Sequence, residues 1–139
     1  MNIKSIILFL FVILLTFSLF GCNGKGITND EAKSYINVFF EAIEAGDYEK
    51  AETYLHPERP APLQEFFNAV ETDKNLNFKS GIRVKKYTSF SSSVYDSTVK
   101  GSAYTLDMKT MVGDAELGIS IEIVRNDNGY GIYNFDIKP

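Results

Sequence analysis

The chain has 139 residues, enough for one domain, with 14 basic and 18 acidic residues and a formal net charge of −4. This mild acidity argues against a nucleic-acid-binding protein, which would carry a basic face, and against electrostatic docking on anionic lipid. The single cysteine, Cys22, excludes a disulfide within the chain.

The first 21 residues differ from the rest. Their only charged side chain is Lys4, and an apolar run from Ile6 to Phe20 is broken only by Thr16 and Ser18. This run is short for a membrane-spanning helix, which needs roughly 18–20 apolar residues. A positive start, a short apolar run and the small residue Gly21 predict a secretory signal peptide over residues 1–21. An uncleaved N-terminal anchor helix is the alternative.

The residues Leu19-Phe20-Gly21-Cys22 resemble the lipobox of bacterial lipoproteins. Leu19, Gly21 and Cys22 match it, whereas Phe20 is bulkier than the residue usual at that place. The resemblance implies cleavage between Gly21 and Cys22 and a diacylglyceryl group on Cys22. It also implies a lipidated tether over residues 22–27 and a body on the extracytoplasmic side of the cell membrane. Two acyl chains, at about 0.8 kcal/mol per buried CH₂, anchor a soluble body durably.

A first helix is predicted after this tether. Thr28-Asn29-Asp30-Glu31 is typical of a capping box. In this motif the Thr28 side chain accepts a hydrogen bond from an amide of the first turn, and the Glu31 side chain accepts one from the amide of Thr28. This helix is expected to end at Gly46. Apolar residues recur between them at helical spacing: Ala32, Tyr35, Ile36, Phe39, Ala42 and Ile43.

Two further helices are predicted before residue 77. Asp47 caps a short second helix that runs to Leu55 and ends at His56-Pro57, because a residue before proline disfavours helix. Pro62 suits the first turn of a third helix. The third helix is expected to bury one stripe of apolar side chains: Leu63, Phe66, Phe67 and Val70.

Strands are predicted from about residue 77 onward. A basic stretch is followed by Ser91–Ser93, interpreted as a turn, and then by a long strand-like segment from Val94 to Met111. Gly113-Asp114 is the next turn. Residues 117–123 alternate between apolar and polar, and Asn126–Gly129 is a hairpin turn before an aromatic last strand. We therefore predict one α+β domain over residues 28–139, with three N-terminal helices packed on a curved four-stranded antiparallel sheet.

The stretch FFEAIEAGDYEKAETYL, residues 39–55, resembles the opening of the cone-shaped domains related to nuclear transport factor 2. Gly46, Asp47, Tyr48 and Ala51 match the link between their first two helices. Many bacterial lipoproteins have such bodies. The resemblance implies a cone-shaped fold and a ligand or partner bound in the cone or across the sheet.

Few residues suggest catalysis. His56 is the only histidine, and one imidazole makes a poor zinc site, so we interpret it as structural and predict no metal and no cofactor. Cys22 lacks a fixed histidine partner that would activate it as a nucleophile. Tyr104 and Asp107 are the candidate pocket residues, because a carboxylate or tyrosine at the open end of a cone-shaped domain can act as a base.

The remaining charged residues favour solvent-exposed roles. Asp96, Asp114 and Glu116 are too scattered for a calcium loop. The basic cluster of Arg83, Lys85 and Lys86 would face an anionic polymer or protect an edge strand from aggregation.

The favoured function is therefore a membrane-anchored, non-enzymatic binding module for an unknown protein or small-molecule ligand. One alternative is a small acid–base enzyme that uses Asp107 with Tyr104. Another is an envelope interaction or phage-exclusion protein. A large apolar patch on the exposed sheet face would indicate a homodimer or a protein partner.

Overall fold

The computed structural model describes residues 26–138, so the predicted signal peptide and Cys22 lie outside the described residues. Three helices come first: α1 (Asn29–Glu44), α2 (Tyr48–Glu52) and α3 (Leu63–Lys74), followed by a 3₁₀ turn (Phe78–Ser80). The strands are β1 (Ile82–Val94), β2 (Gly101–Val112), β3 (Ala115–Asn126) and β4 (Gly129–Lys138). They form one antiparallel sheet in the order β1-β2-β3-β4, which confirms the α+β prediction. No helix between residues 26 and 138 is long and apolar enough to cross a membrane.

The predicted link between the first two helices is confirmed. Gly46 adopts φ +69°, and its amide donates to the carbonyl of Ile43 at 2.9 Å, which closes the end of α1. Asp47 then caps α2, since its carboxylate accepts from the amide of Lys50 at 3.1 Å.

One half of the predicted capping box is present at the start of α1. The Thr28 hydroxyl accepts from the amide of Glu31 at 3.2 Å. The Glu31 carboxylate instead accepts from the guanidinium of Arg125 on β3. A charged partner offers a stronger hydrogen bond than the amide of Thr28 does.

The second helix is shorter than predicted. It ends at Glu52, and the chain through Tyr54 and Leu55 runs alongside β4. The amide of Ile132 donates to the carbonyl of Tyr54, and the amide of His56 donates to the carbonyl of Ile132, both at 2.8 Å. Helical pattern alone could not show that these residues have a strand as their backbone partner.

The start of the third helix receives a cap from a distant side chain. Pro62 lies immediately before the helix and makes no side-chain cap. The carboxylate of Glu52 in α2 accepts from the amide of Leu63 at 3.1 Å. This bond joins the end of α2 to the start of α3 across the proline-rich segment between them.

The interpretation of Ser91–Ser93 as a turn was wrong. These serines lie inside β1, opposite Thr105, Tyr104 and Ala103 of β2. They are exposed because β1 is an edge strand, and hydroxyl side chains therefore lose no hydration there. The chain reverses at residues 95–100, where the Asp96 carboxylate accepts from the amide of Thr98 at 2.7 Å, so the predicted segment from Val94 to Met111 is interrupted.

The core lies between the helices and one face of the sheet. Aromatic rings fill its centre, with Phe67 in contact with Phe39, Phe78 and Phe135 at centroid distances of 4.8–6.5 Å. Leu63 and Phe67 are buried as predicted, but Phe66 is 37% exposed. Its ring packs against Phe67 and against Phe135 of β4 and is otherwise open to solvent.

Gly131→Ala is expected to destabilise the protein by about 1–3 kcal/mol or more, because a Cβ there would lie 2.6 Å from backbone atoms of Leu55 and His56. Gly118→Ala is the matched control, since a Cβ at that strand glycine would find its nearest neighbour, a Lys138 carbon, at an ordinary 3.5 Å. Urea unfolding of both variants measures the difference. Equal losses would contradict a requirement for close approach at Gly131.

Candidate functional site

An open groove runs between β4 and the chain segment that connects α2 to α3. Its volume is about 520 Å³, within the range of small-ligand sites. One wall is the segment 59–63 together with Phe66, and the other is formed by β4 side chains: Ile132, Tyr133, Asn134 and Phe135. Most of these side chains are apolar, so the groove suits an apolar occupant.

Aromatic contacts fix the shape of this groove. The ring of Phe66 packs edge-on against Phe135 at 5.7 Å and against Phe67 at 5.2 Å. The guanidinium of Arg59 lies over the ring of Tyr133 at 4.5 Å, which places a cation on the rim. Phe66 remains partly exposed, and an apolar occupant would bury it.

The groove also borders an open strand edge. β4 is the last strand of the sheet, and its edge is occupied at Ile132 by the backbone of Leu55. Among the described residues, no strand pairs with the outer side of β4 at residues 133–138. Backbone groups of an extended chain could pair there.

His56 lies at one end of this wall and is fully buried. Its Nδ1 accepts from the amide of Glu58 at 3.1 Å, which leaves the proton on Nε2. Nε2 then donates to Oδ1 of Asn126 at 3.0 Å. Both ring nitrogens therefore have hydrogen-bond partners within the protein, which fits a structural histidine.

Asn126, the last residue of β3, joins His56 through hydrogen bonds to Glu58 and to the β1–β2 turn. Its Nδ2 donates to the Glu58 carboxylate at 2.8 Å and to the carbonyl of Val99 at 2.9 Å. Asn128 donates to the other oxygen of Glu58 at 2.8 Å. These bonds from Asn126 and Asn128 hold the pKa of Glu58 below its ordinary value. We call His56, Glu58, Asn126 and Asn128 the His56 network.

A tyrosine cluster supports the same region from α1. Tyr35 packs edge-on against Tyr54 at 5.3 Å and Tyr130 at 4.8 Å, and its hydroxyl donates to the carbonyl of Tyr54. Burial raises the pKa of Tyr35 to about 12. The pKa of Tyr130 is also raised, first by burial and then by the nearby carboxylate of Glu31. Tyr35 and Tyr130 therefore stay neutral at physiological pH, and their contact packs α1 against β4.

The structure does not bring the two candidate pocket residues together. Tyr104 lies on the helix-facing side of β2, buried, and its hydroxyl accepts from Nδ2 of Asn29 at 2.6 Å. Asp107 lies on the opposite face, where its carboxylate accepts from the Ser89 hydroxyl at 2.7 Å. Hydrogen bonds from Ser120 and Ser89 lower the pKa of Asp107, whereas a general base at neutral pH needs a raised one.

The other charged candidates lie on exposed surfaces. Lys85 and Lys109 both pair with Glu116, at 2.9 and 3.2 Å, across the outer face of the sheet. These bonds lower the pKa of Glu116. Arg83, Lys85 and Lys86 belong to the edge strand β1, where charged side chains discourage strand addition. Over residues 26–138, no three His, Cys, Asp or Glu side chains are grouped as metal ligands would be.

Sequence reasoning missed the groove because it assigned Phe66 to the core. A signal was present, since three prolines at positions 57, 60 and 62 keep the connection from forming a helix. The chain matches no protein-family model, no curated protein and no solved structure. Function must therefore be inferred from the residues and contacts of this protein itself.

Asn126→Ala is expected to cost about 1–3 kcal/mol of unfolding free energy, because it leaves Nε2 of His56 and the carbonyl of Val99 without partners. Asn134→Ala is the matched control. That exposed side chain makes one bond, to Glu122, and its loss should cost below about 1 kcal/mol. Chemical denaturation of both proteins at neutral pH gives the comparison, and an Asn126 variant no weaker than the control would argue against a structural network.

Proposed function

We propose that this protein is a membrane-anchored extracytoplasmic lipoprotein whose body binds the apolar side chains of an extended protein segment. The anchor is a diacylglyceryl group on Cys22, for which the support is the apolar run and the Leu19-Phe20-Gly21-Cys22 pattern. The binding site is the groove beside β4. The role is non-enzymatic, which is supported by the separation of Tyr104 from Asp107.

The body is a cone-shaped domain similar to those related to nuclear transport factor 2. Three helices followed by a four-stranded meander support this proposal, as does the Gly46-Asp47 link. Shifts of register in β1 and β4 bend the strands, as a cone requires. The packed aromatic rings inside support binding at the surface and not in the interior.

The single observation that carries the binding role is the apolar groove beside an open strand edge. Backbone pairing with β4 would give affinity, and apolar side chains entering against Phe66 and Phe135 would give selectivity. A small molecule alone would use the groove but not the strand edge.

Lipidation predicts a specific mass. The protein expressed from its full gene in a bacterial host should start at Cys22 and carry acyl groups, and Cys22→Ser should abolish both processing and membrane retention. Intact mass spectrometry of the membrane fraction measures this. A product that keeps residues 1–21 and lacks acyl groups would reject the lipoprotein proposal.

Phe66→Ala should weaken binding of the apolar dye 1-anilinonaphthalene-8-sulfonate to the groove, by about fivefold if one aromatic contact is lost. Phe90→Ala is the matched control, because Phe90 is also an exposed phenylalanine but lies on β1. Dye fluorescence titration compares the two, and thermal melts check that α3 remains packed. Equal weakening by both substitutions would place the dye elsewhere.

A further inference from the structure

The β1–β2 hairpin exposes apolar side chains along the last part of β1 and at the first residue of the turn that follows. Phe90 is 67% exposed, Val94 49% and Tyr95 80%. Tyr95 has φ +60°, a left-handed conformation that is unfavourable for a bulky residue. We call Phe90, Val94 and Tyr95 the hairpin tip, and exposed apolar side chains close together in the chain make it a candidate contact surface.

The chain enters the fold beside this tip. A Cβ placed on Gly26 would lie 3.5 Å from Cγ2 of Val94, so the two residues are neighbours. Ile27 is buried in the core, and Asn29 donates to the hydroxyl of Tyr104 at 2.6 Å. The entry point is therefore fixed with respect to the hairpin tip.

The stretch of chain between Cys22 and this entry point is short. Gly26 is four positions after Cys22, and an extended chain spans at most about 14 Å over four positions. The headgroup region on each side of a bilayer is about 5–8 Å thick. A diacylglyceryl group on Cys22 would thus hold the hairpin tip within reach of the headgroups.

We propose that the hairpin tip is a membrane-contact surface, which lies among the lipid headgroups next to the anchor and orients the body on the bilayer. This proposal rests on the proposed lipidation of Cys22. Tyrosine and phenylalanine are side chains that favour the membrane interface. Contact of Phe90, Val94 and Tyr95 with lipid removes the exposed apolar surface that water would otherwise cover.

The contact is apolar and not electrostatic. The turn itself carries one acid, Asp96, and one base, Lys100, and the adjacent β3–β4 turn carries Asp127. The basic cluster of Arg83, Lys85 and Lys86 belongs to the other end of β1, away from the tip. Zwitterionic lipid should therefore suffice, and salt should have little effect.

A single introduced tryptophan tests this contact, because the chain contains none. The acylated, full-gene Tyr95→Trp protein is reconstituted into phosphatidylcholine vesicles with or without brominated acyl chains. Brominated lipid should quench its fluorescence by about twofold or more, as expected for an aromatic side chain at the interface, in low and high salt alike. Phe66→Trp, at an exposed aromatic of α3, is the matched control and should be quenched far less.

Intact mass, measured first, separates the two proposals. An unacylated product would overturn the anchor and, with it, the membrane contact that rests on it. An acylated Tyr95→Trp protein that shows no quenching would overturn the contact alone and leave the anchor standing. A blue-shifted emission without quenching would also overturn it, since a second copy or another protein would then cover the tip. Equal quenching of the Phe66→Trp protein would overturn the proposed orientation.

Discussion

Two hydrogen bonds join the helical half of the protein to the last strand, and much of the structure depends on them. The backbone of residues 54–56 pairs with Ile132 at 2.8 Å in both directions. Gly131 makes this approach possible, because any side chain there would enter the neighbouring backbone. The pairing closes part of an otherwise open strand edge and fixes where the proline-rich connection leaves the sheet. The pairing therefore fixes the position of this groove wall through the backbone, independently of the side-chain contacts within the groove.

The His56 network adds side-chain hydrogen bonds next to this backbone pairing. His56 is buried immediately after the bridge, and its two nitrogens join the amide of Glu58 to the side chain of Asn126. Buried polar groups are costly unless each finds a partner, so this set favours one arrangement of the turn at residues 56–59. That turn places Arg59 over Tyr133 at the groove rim. The position of Arg59 at the rim of the groove therefore depends, through the His56 network, on the position of the β3–β4 hairpin.

The sequence predicted the features that depend on local chemistry. The Thr28 and Asp47 caps, the left-handed Gly46 and the alternation in β3 all follow from neighbouring residues. The features that depend on position in the sheet were missed. Hydroxyl side chains at Ser91–Ser93 resemble a turn unless the strand is known to be an edge, and the spacing of Phe66 cannot show that its ring lies at the rim of the core, covered only by Phe67 and Phe135. The separation of Tyr104 from Asp107 was in principle predictable, because residues three apart in a regular strand face opposite sides.

The two proposed surfaces belong to opposite edges of the same sheet. The hairpin tip lies at the end of β1 and in the turn after it, and the groove is bordered by β4, two strands away in the sheet, although Val99 of the same turn packs against Tyr133 at the groove rim. Contact of the tip with lipid would therefore leave the open edge of β4 unobstructed by the same contact. The edges also differ in chemistry: β1 begins with a basic cluster that discourages strand addition, whereas Tyr133 and Phe135 of β4 border the groove beside backbone that no other described strand pairs with. For the proposed anchored protein, a difference between the two edges would limit self-association, because two equally receptive edges would also allow the protein to pair with itself at the membrane.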